Sequence, residues 1–279
     1  MNFKVKKAAV LGSGVMGSGI ACHLANVGID VLMLDIQPKD KSIKNRNIIA
    51  DDALNNAIKS KPNPLYKKEY ASRITTGNFD DDFEKIKDAD WIIEVVVENL
   101  EIKKTIFEKV EKYKSDGAFV TSNTSSIPIS LLCEGRSDSF KSLFCGTHFF
   151  NPPRYLRLFE VIPQTETDPK LVSFLMEFGD VILGKQTVLC KDTPGFIGNR
   201  IGVMCGIKSS QLTEKYNFKI EEVDLMTGSV IGLPNSGTFR LQDLVGLDTS
   251  DNVTNFLVNN VNDDLSLIHI SEPTRRTSI

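Results

Sequence analysis

Apolar residues occur here in short unbroken runs, separated by stretches where they recur every third or fourth position. Residues 7–11 and 30–35 are runs of the first kind. Between them Ile20, Ala21, Leu24 and Val27 keep helical spacing, and Gly28 sits where a helix C-terminus takes a glycine. The alternation continues with a helix predicted over 44–59, a short strand over 73–76 and a strand over 91–97. A helix over 102–113 and a strand over 118–122 follow. The 91–97 run, Trp-Ile-Ile-Glu-Val-Val-Val, is apolar nearly throughout, as a parallel strand covered on both faces should be. A last strand is expected over 185–191. Beyond it only helical patterns appear, over 197–212, 220–227 and 238–245. Alternating strands and helices describe an α/β, doubly wound, mostly parallel sheet. We assign it residues 1–191, with a helical domain over 192–264.

The first strand runs straight into Gly12-Ser-Gly14-Val-Met-Gly17, and the second ends in an acid, Asp35. A lone GxGxxG is weak, because glycine-rich turns are common. Strand, glycines, helix and an acid about 20 residues on, all in order, make a Rossmann-type dinucleotide fingerprint. Gly12 makes the tight turn, Gly14 lets a pyrophosphate approach the backbone, and Gly17 allows close helix–strand packing. The free N–H groups of the helix start face the phosphate. Asp35 is placed to accept from the ribose 2′-hydroxyl and to repel a 2′-phosphate, which favours NAD over NADP. Its other reading is a solvated acid at a strand end.

Residues 145–162 place one histidine, His148, and one carboxylate, Glu160, on two apolar segments joined by a Pro-Pro turn. If the segments fold back about Arg154, the two positions face each other, about 4.5–5.5 Å apart at Cα. A carboxylate accepting from one ring nitrogen fixes the tautomer and makes the other a better base. A lone histidine in an apolar strand is more often a packed core residue, but a buried acid needs a partner, and Glu160 offers one. His23, on the first helix, is read as a packed or half-exposed side chain.

Composition narrows the field. With 33 Lys+Arg against 36 Asp+Glu and a net charge of -3, nothing suggests nucleic acid or an anionic membrane surface as partner. No apolar run approaches the ~20 residues of a membrane span, and no signal-peptide pattern opens the chain. The five cysteines include no CxxC, so neither a zinc site nor a disulfide framework is indicated, and the expected location is reducing cytoplasm.

Taken together, these segments resemble the 3-hydroxyacyl-CoA dehydrogenases of fatty-acid β-oxidation. The resemblance rests on Gly12-Ser-Gly-Val-Met-Gly-Ser-Gly19, Val97-Glu-Asn-Leu-Glu-Ile-Lys103 and Ser122-Asn-Thr-Ser-Ser126. It continues in His148-Phe-Phe-Asn-Pro152, Phe159-Glu-Val161 and Asp192-Thr-Pro-Gly-Phe-Ile-Gly-Asn-Arg200, in the family's order. The wording Pro-Pro-Arg-Tyr-Leu-Arg after His-Phe-Phe-Asn is nearer to the bacterial multifunctional forms than to single-function members. The resemblance implies an NAD-dependent oxidation of the 3-hydroxyl of an acyl-CoA substrate. His148 would be the base and Glu160 its orienter. Ser125 and Asn199 would hydrogen-bond the substrate oxygens, while Glu98 and Lys103 match positions that contact NAD and Asn151 matches another nucleotide or substrate contact. Spacing alone does not choose between Ser125 and Ser126, and Asn199 read alone is only a helix residue. The family also implies a homodimer formed through the helical domain. That domain looks incomplete here, because 265–279 has no helical stripe and resembles a translated vector segment; it is set aside, His269 included. Two other readings share the first domain. One is a β-hydroxyacid dehydrogenase acting on a small acid, which uses a lysine from a C-terminal helix; the other is a non-catalytic nucleotide-binding protein. The presence of both His148 and Glu160 points away from them.

Overall fold

Strand β1 (Lys7–Leu11) opens the sheet, with Ala8 to Leu11 buried on both faces, and the glycine turn leads directly into α1 (Val15–Asn26). The computed structural model describes residues 3–232 and 235–261, so the segment 265–279, set aside above, lies outside the described residues. The chain divides between Asp192 and Thr193 into two units.

The first unit continues with β2 (Asp30–Asp35), α2 (Ile48–Lys59), β3 (Ile74–Asn78), β4 (Trp91–Glu94) and α3 (Leu100–Tyr113). Then come β5 (Phe119–Ser122), the short helices α4 (Ile129–Leu132) and α5 (Asp138–Ser142), β6 (Phe144–Phe149), β7 (Leu158–Pro163), α6 (Pro169–Val181) and β8 (Gln186–Leu189). The strands form one sheet in the order β3-β2-β1-β4-β5-β6-β7-β8. Every neighbouring pair is parallel except β6 and β7, so β7 and β8 run against the rest. The order reverses direction at β1 and β4, and ligands of such sheets bind beyond the carboxyl ends of the strands at that point.

Helix α1 is buried from Gly17 to Ala25, more completely than a one-sided amphipathic helix would be. One side lies on the sheet; the other is covered by the 60–73 segment. Arg73 donates to the Ala25 carbonyl at the helix end (2.7 Å), and Asn26 donates to Pro64 O (2.8 Å). Gly17 sits so close to the turn that a Cβ there would lie 1.9 Å from Gly12 O. On one face of the sheet Trp91 stacks on Phe119 at 5.6 Å between ring centroids and meets Phe178 edge-on. Its indole N–H donates to Thr121 Oγ1 (2.9 Å), which lets so large a side chain be fully buried.

Several boundaries differ from expectation. Helix α2 begins at Ile48 rather than at 44, and β4 stops at Glu94 rather than at 97. Past Glu94 the backbone leaves the ladder and Val97 is exposed, so the apolar run outlasts the strand. Helix α6 carries a start signal in Asp168-Pro169, where the Asp168 carboxylate accepts from Lys170 N–H (2.8 Å) and proline fills the first turn.

The second unit is helical: α7 (Gly198–Tyr216), α8 (Ile220–Met226), α9 (Phe239–Val245) and α10 (Leu247–Asn260). Helix α7 ends at Asn217 in the left-handed region, φ 52°, a conformation asparagine tolerates. The Asp224 carboxylate of α8 accepts from the Phe239 and Arg240 N–H groups and so caps α9 (2.6 and 3.1 Å). The core is small, Leu257 and Val261 packed by Val203, Ile207, Val253 and Phe256. Many large apolar side chains stay exposed, among them Leu225, Val230 and Leu244.

Candidate active site

The hairpin of β6 and β7 pairs His148 directly with Glu160, and Nδ1 of the imidazole lies 2.7 Å from Glu160 Oε2. Both side chains are buried, Glu160 completely. A carboxylate in that position holds a proton on Nδ1, which leaves Nε2 as the basic nitrogen. The second Glu160 oxygen accepts from the Cys190 thiol at 3.7 Å, and the Phe150 ring packs on the imidazole at 4.4 Å between centroids. His148 stands at the carboxyl end of β6, on the same edge of the sheet as the loops after β1, β4 and β5.

At that edge the glycine turn has the shape its sequence suggested. Gly12 has φ +108°, and a Cβ there would strike Val95 O at 2.6 Å. Gly14 differs: a Cβ built on it meets no protein atom within 4 Å. No protein contact demands glycine at 14, which fits a backbone kept bare for a ligand. Helix α1 begins there with no side-chain cap and no acid in its first turn, so its first N–H groups suit an anion such as a dinucleotide pyrophosphate. Asp35 ends β2 beside the turn, and its carboxylate accepts from both the N–H and the hydroxyl of Ser13 (2.6 Å each) and from Ile36 N–H (2.7 Å). The acid therefore holds the glycine turn.

The loops after β4 and β5 are tied together by charge. Glu98 Oε1 accepts from Thr124 Oγ1 (2.5 Å), Ser126 Oγ (2.8 Å) and the N–H groups of Ser125 and Ser126 (3.1 Å each). Burial acts to raise the Glu98 carboxyl, but the Lys103 ammonium with the Thr124 and Ser126 hydroxyls outweighs it and holds it below the usual carboxylate range. This clasp separates the two serines that spacing could not. Ser126 spends its hydroxyl on Glu98, whereas the Ser125 hydroxyl makes no hydrogen bond among the described residues.

Lys103 is placed otherwise than expected. It is 1% exposed, and its ammonium lies 2.6 Å from Glu94 Oε1, 3.2 Å from Glu98 Oε2 and 3.3 Å from Val96 O. The cation is closed in by two carboxylates and a carbonyl; Glu98, 37% exposed in its side chain, is the outward member of the pair. Glu94, which the sequence reading passed over, is the inward one. It is fully buried and also accepts from Ser122 Oγ (2.5 Å) and Val96 N–H (2.7 Å). Burial pushes its carboxyl up against the pull of Lys103. A lone acid inside an otherwise apolar strand was the available signal, since such a group requires a buried partner.

Asn123 accepts from Phe149 N–H through its side-chain oxygen (2.9 Å), which joins the β5 loop to the end of β6. Asn151 is exposed at the start of the connection between β6 and β7. Asn199 lies in the first turn of α7, in the second unit, partly buried. His23 is fully packed in α1, with Nε2 3.0 Å from Leu183 O.

The family model described as "3-hydroxyacyl-CoA dehydrogenase, NAD binding domain" matches residues 7–193, and "3-hydroxyacyl-CoA dehydrogenase, C-terminal domain" matches 195–272. The second match runs past Asp264, where the sequence reading ended the helical domain. A probable 3-hydroxyacyl-CoA dehydrogenase of Bacillus subtilis is 52% identical over 89% of this chain and 33% of that protein. One of Deinococcus radiodurans is 47% identical over 90% of this chain and 72% of that protein. The chain thus spans about a third of the first relative's length and nearly three quarters of the second's. Among solved structures, the (S)-3-hydroxybutyryl-CoA dehydrogenase PaaH1 from Ralstonia eutropha superposes with a TM-score of 0.76 at 28% identity, covering 95% of this chain and 90% of that one.

Proposed function

The chain belongs to the 3-hydroxyacyl-CoA dehydrogenase family, and from that premise we propose that it oxidises the 3-hydroxyl of an L-3-hydroxyacyl-CoA to the 3-keto compound with NAD. The observation that carries this reading is the buried His148–Glu160 pair at the carboxyl end of β6. NAD, when bound, accepts the hydride that leaves C3. The residues of this chain handle the rest. His148 Nε2 removes the hydroxyl proton as C3 becomes a carbonyl, a general-base contribution of about 10²–10⁴-fold. Glu160 stabilises the imidazolium so formed and keeps the ring in its tautomer. Ser125, whose hydroxyl has no protein partner among the described residues, donates to a substrate oxygen, and Asn151 supplies a further amide contact. Glu98 takes the ribose near the reacting ring, with Lys103 holding Glu98 in place; Asp35 takes the adenosine ribose, and Gly12, Gly14 and Gly17 shape the pyrophosphate turn.

The acyl-CoA substrate and the cofactor are small molecules. Among the described residues no helix is long and apolar enough to cross a membrane. Exposed apolar side chains on the helical unit support self-association as a homodimer through that domain. The five cysteines form no disulfide among the described residues and four of them are buried, which suits a reducing compartment such as the cytoplasm.

The test is NADH formation from L- and D-3-hydroxybutyryl-CoA by the chain and by His148→Ala. The L-isomer should be oxidised. The variant should lose about 10²–10⁴ in kcat while calorimetry shows unchanged NAD binding. No turnover of the L-isomer, or a variant as fast as the parent, refutes the reading.

A further inference from the structure

The His148–Glu160 contact depends on strand register, because a slip of one residue sends the side chains of a strand to the opposite face. In a two-residue hairpin the turn itself fixes register. Here the connection spans residues 150–157, too long to do so by its own geometry; pairing of β6 with β5 and of β7 with β8 constrains the strands, but something else must hold the connection between them.

Two basic side chains do. From outside, Arg154 donates to the Asn63 and Leu65 carbonyls (2.6 and 3.0 Å) and lies 4.4 Å from the Tyr66 ring centroid and 4.9 Å from that of Tyr155. From inside, Lys185 reaches under the connection and donates to the Pro153 and Leu156 carbonyls, the latter at 2.7 Å. Its own backbone is anchored to Gly179 O (2.9 Å), and the next residue, Gln186, donates to Arg157 O (2.8 Å), so the lysine starts from a fixed base. The Phe149 ring, adjacent in sequence to His148, lies 5.8 Å from the ammonium.

Lys185 is 4% exposed, and among the described residues no carboxylate lies within salt-bridge distance of it. The charges of Lys185 and of Arg154 in the connection both act on His23 of α1, and the Asp180 carboxylate of α6 is engaged by Thr187. Burial pushes the Lys185 ammonium down to about 8. An unpaired buried cation is unfavourable, and a methionine would fill the same space without that cost. What the lysine supplies, and a methionine cannot, is donors for two carbonyls at the two ends of one turn.

We propose that Lys185 is a positioning residue for the proposed dehydrogenase site: by holding the Pro153 and Leu156 carbonyls it fixes the β6–β7 connection, and with it the register that sets the His148 imidazole against Glu160. This rests on the functional reading above only for what the pair does, not for how it is held.

The experiment compares the full chain with Lys185→Met and Lys185→Arg. Three quantities are read: kcat with 3-hydroxybutyryl-CoA, NAD affinity by calorimetry, and the His148 Nδ1–H resonance in histidine-labelled protein. Lys185→Met should lose on the order of 10²-fold in kcat, the scale of a small misplacement of a reacting group. It should keep the parent's NAD affinity and show a displaced or lost Nδ1–H resonance. Lys185→Arg, which keeps the donors, should recover kcat to within about tenfold of the parent. A Met variant with the parent's kcat, or one whose kcat falls while the resonance stays put, overturns the proposal. If Lys185→Met does not fold, Lys185→Gln, which keeps one donor for one carbonyl, carries the same readouts. A parent chain without turnover would sink the dehydrogenase reading, yet the resonance would still decide for or against Lys185.

Discussion

His23 should make the first unit sensitive to acid. Its Nε2–H donates to Leu183 O at 3.0 Å, while Nδ1 is buried with no hydrogen-bond partner. Protonation would put a second N–H into that unpartnered position. Burial, then the charges of Lys185 and Arg154, push its pKa from 6.5 down to about 4. The folded value lies below the unfolded one, so the unfolded chain binds the extra proton, and stability is lost as pH falls from about 6.5 through about 4. At roughly 1.36 kcal/mol per unit, the full penalty is about 3 kcal/mol, of which about 2 kcal/mol has developed by pH ~5 and almost none at pH ~7.5. His23→Gln keeps a donor for Leu183 O and removes the titration. Urea unfolding followed by the fluorescence of Trp91, the single tryptophan and a core residue of this unit, measures both proteins at the two pH values. The variant should gain on the parent by about 2 kcal/mol between pH ~7.5 and pH ~5. Other groups that titrate in the same range act on both proteins and cancel in the difference. Equal stability differences at the two pH values would show that His23 is not held neutral by its surroundings.

Glu160→Gln should lower kcat by about one to two orders of magnitude, the value of one hydrogen bond to a charged group at about 1.5–3 kcal/mol, and should alter the pH profile of kcat. Steady-state rates across pH check it; an unchanged profile would remove Glu160 as the orienter. Asp35→Ser should reduce the NAD-over-NADP preference, measured as the ratio of kcat/KM values, by about tenfold to a hundredfold. Since Asp35 also holds Ser13, NAD affinity should fall as well, and an unaltered ratio would take Asp35 out of the ribose site.

The elements easiest to read were those whose reasons are local. Gly12, with its positive φ and the Val95 carbonyl against it, admits no side chain, and that demand is visible in the sequence as strand, glycines and helix. The facing of His148 and Glu160 was legible because each lies six residues from Arg154, about which the two segments fold back. The burial of Lys103 was not legible because it depends on Glu94, an acid on another element. Only in three dimensions does the first turn of α3 bring it over Glu94, and a lysine in an exposed-looking helix start gives no sign of being buried. Lys185 was passed over for the same reason. Its partners are backbone carbonyls near residues 153 and 156, which carry no side-chain signature. Helix α10 escaped notice because its apolar stripe, Val253, Phe256 and Leu257 among them, is sparse and packs a small core.

The reversal of direction between β6 and β7 has a bearing on how such chains can vary. Because His148 and Glu160 face each other across an antiparallel pair, inserting or deleting one residue within either strand would send one of them through to the other side of the sheet. The stretch between the strands is constrained in another way, by Lys185 on the Pro153 and Leu156 carbonyls and by Arg154 on those of Asn63 and Leu65. Changes of length should therefore be purged from 145–149 and 159–163, and within the connection from the tethered residues 153–156 as well.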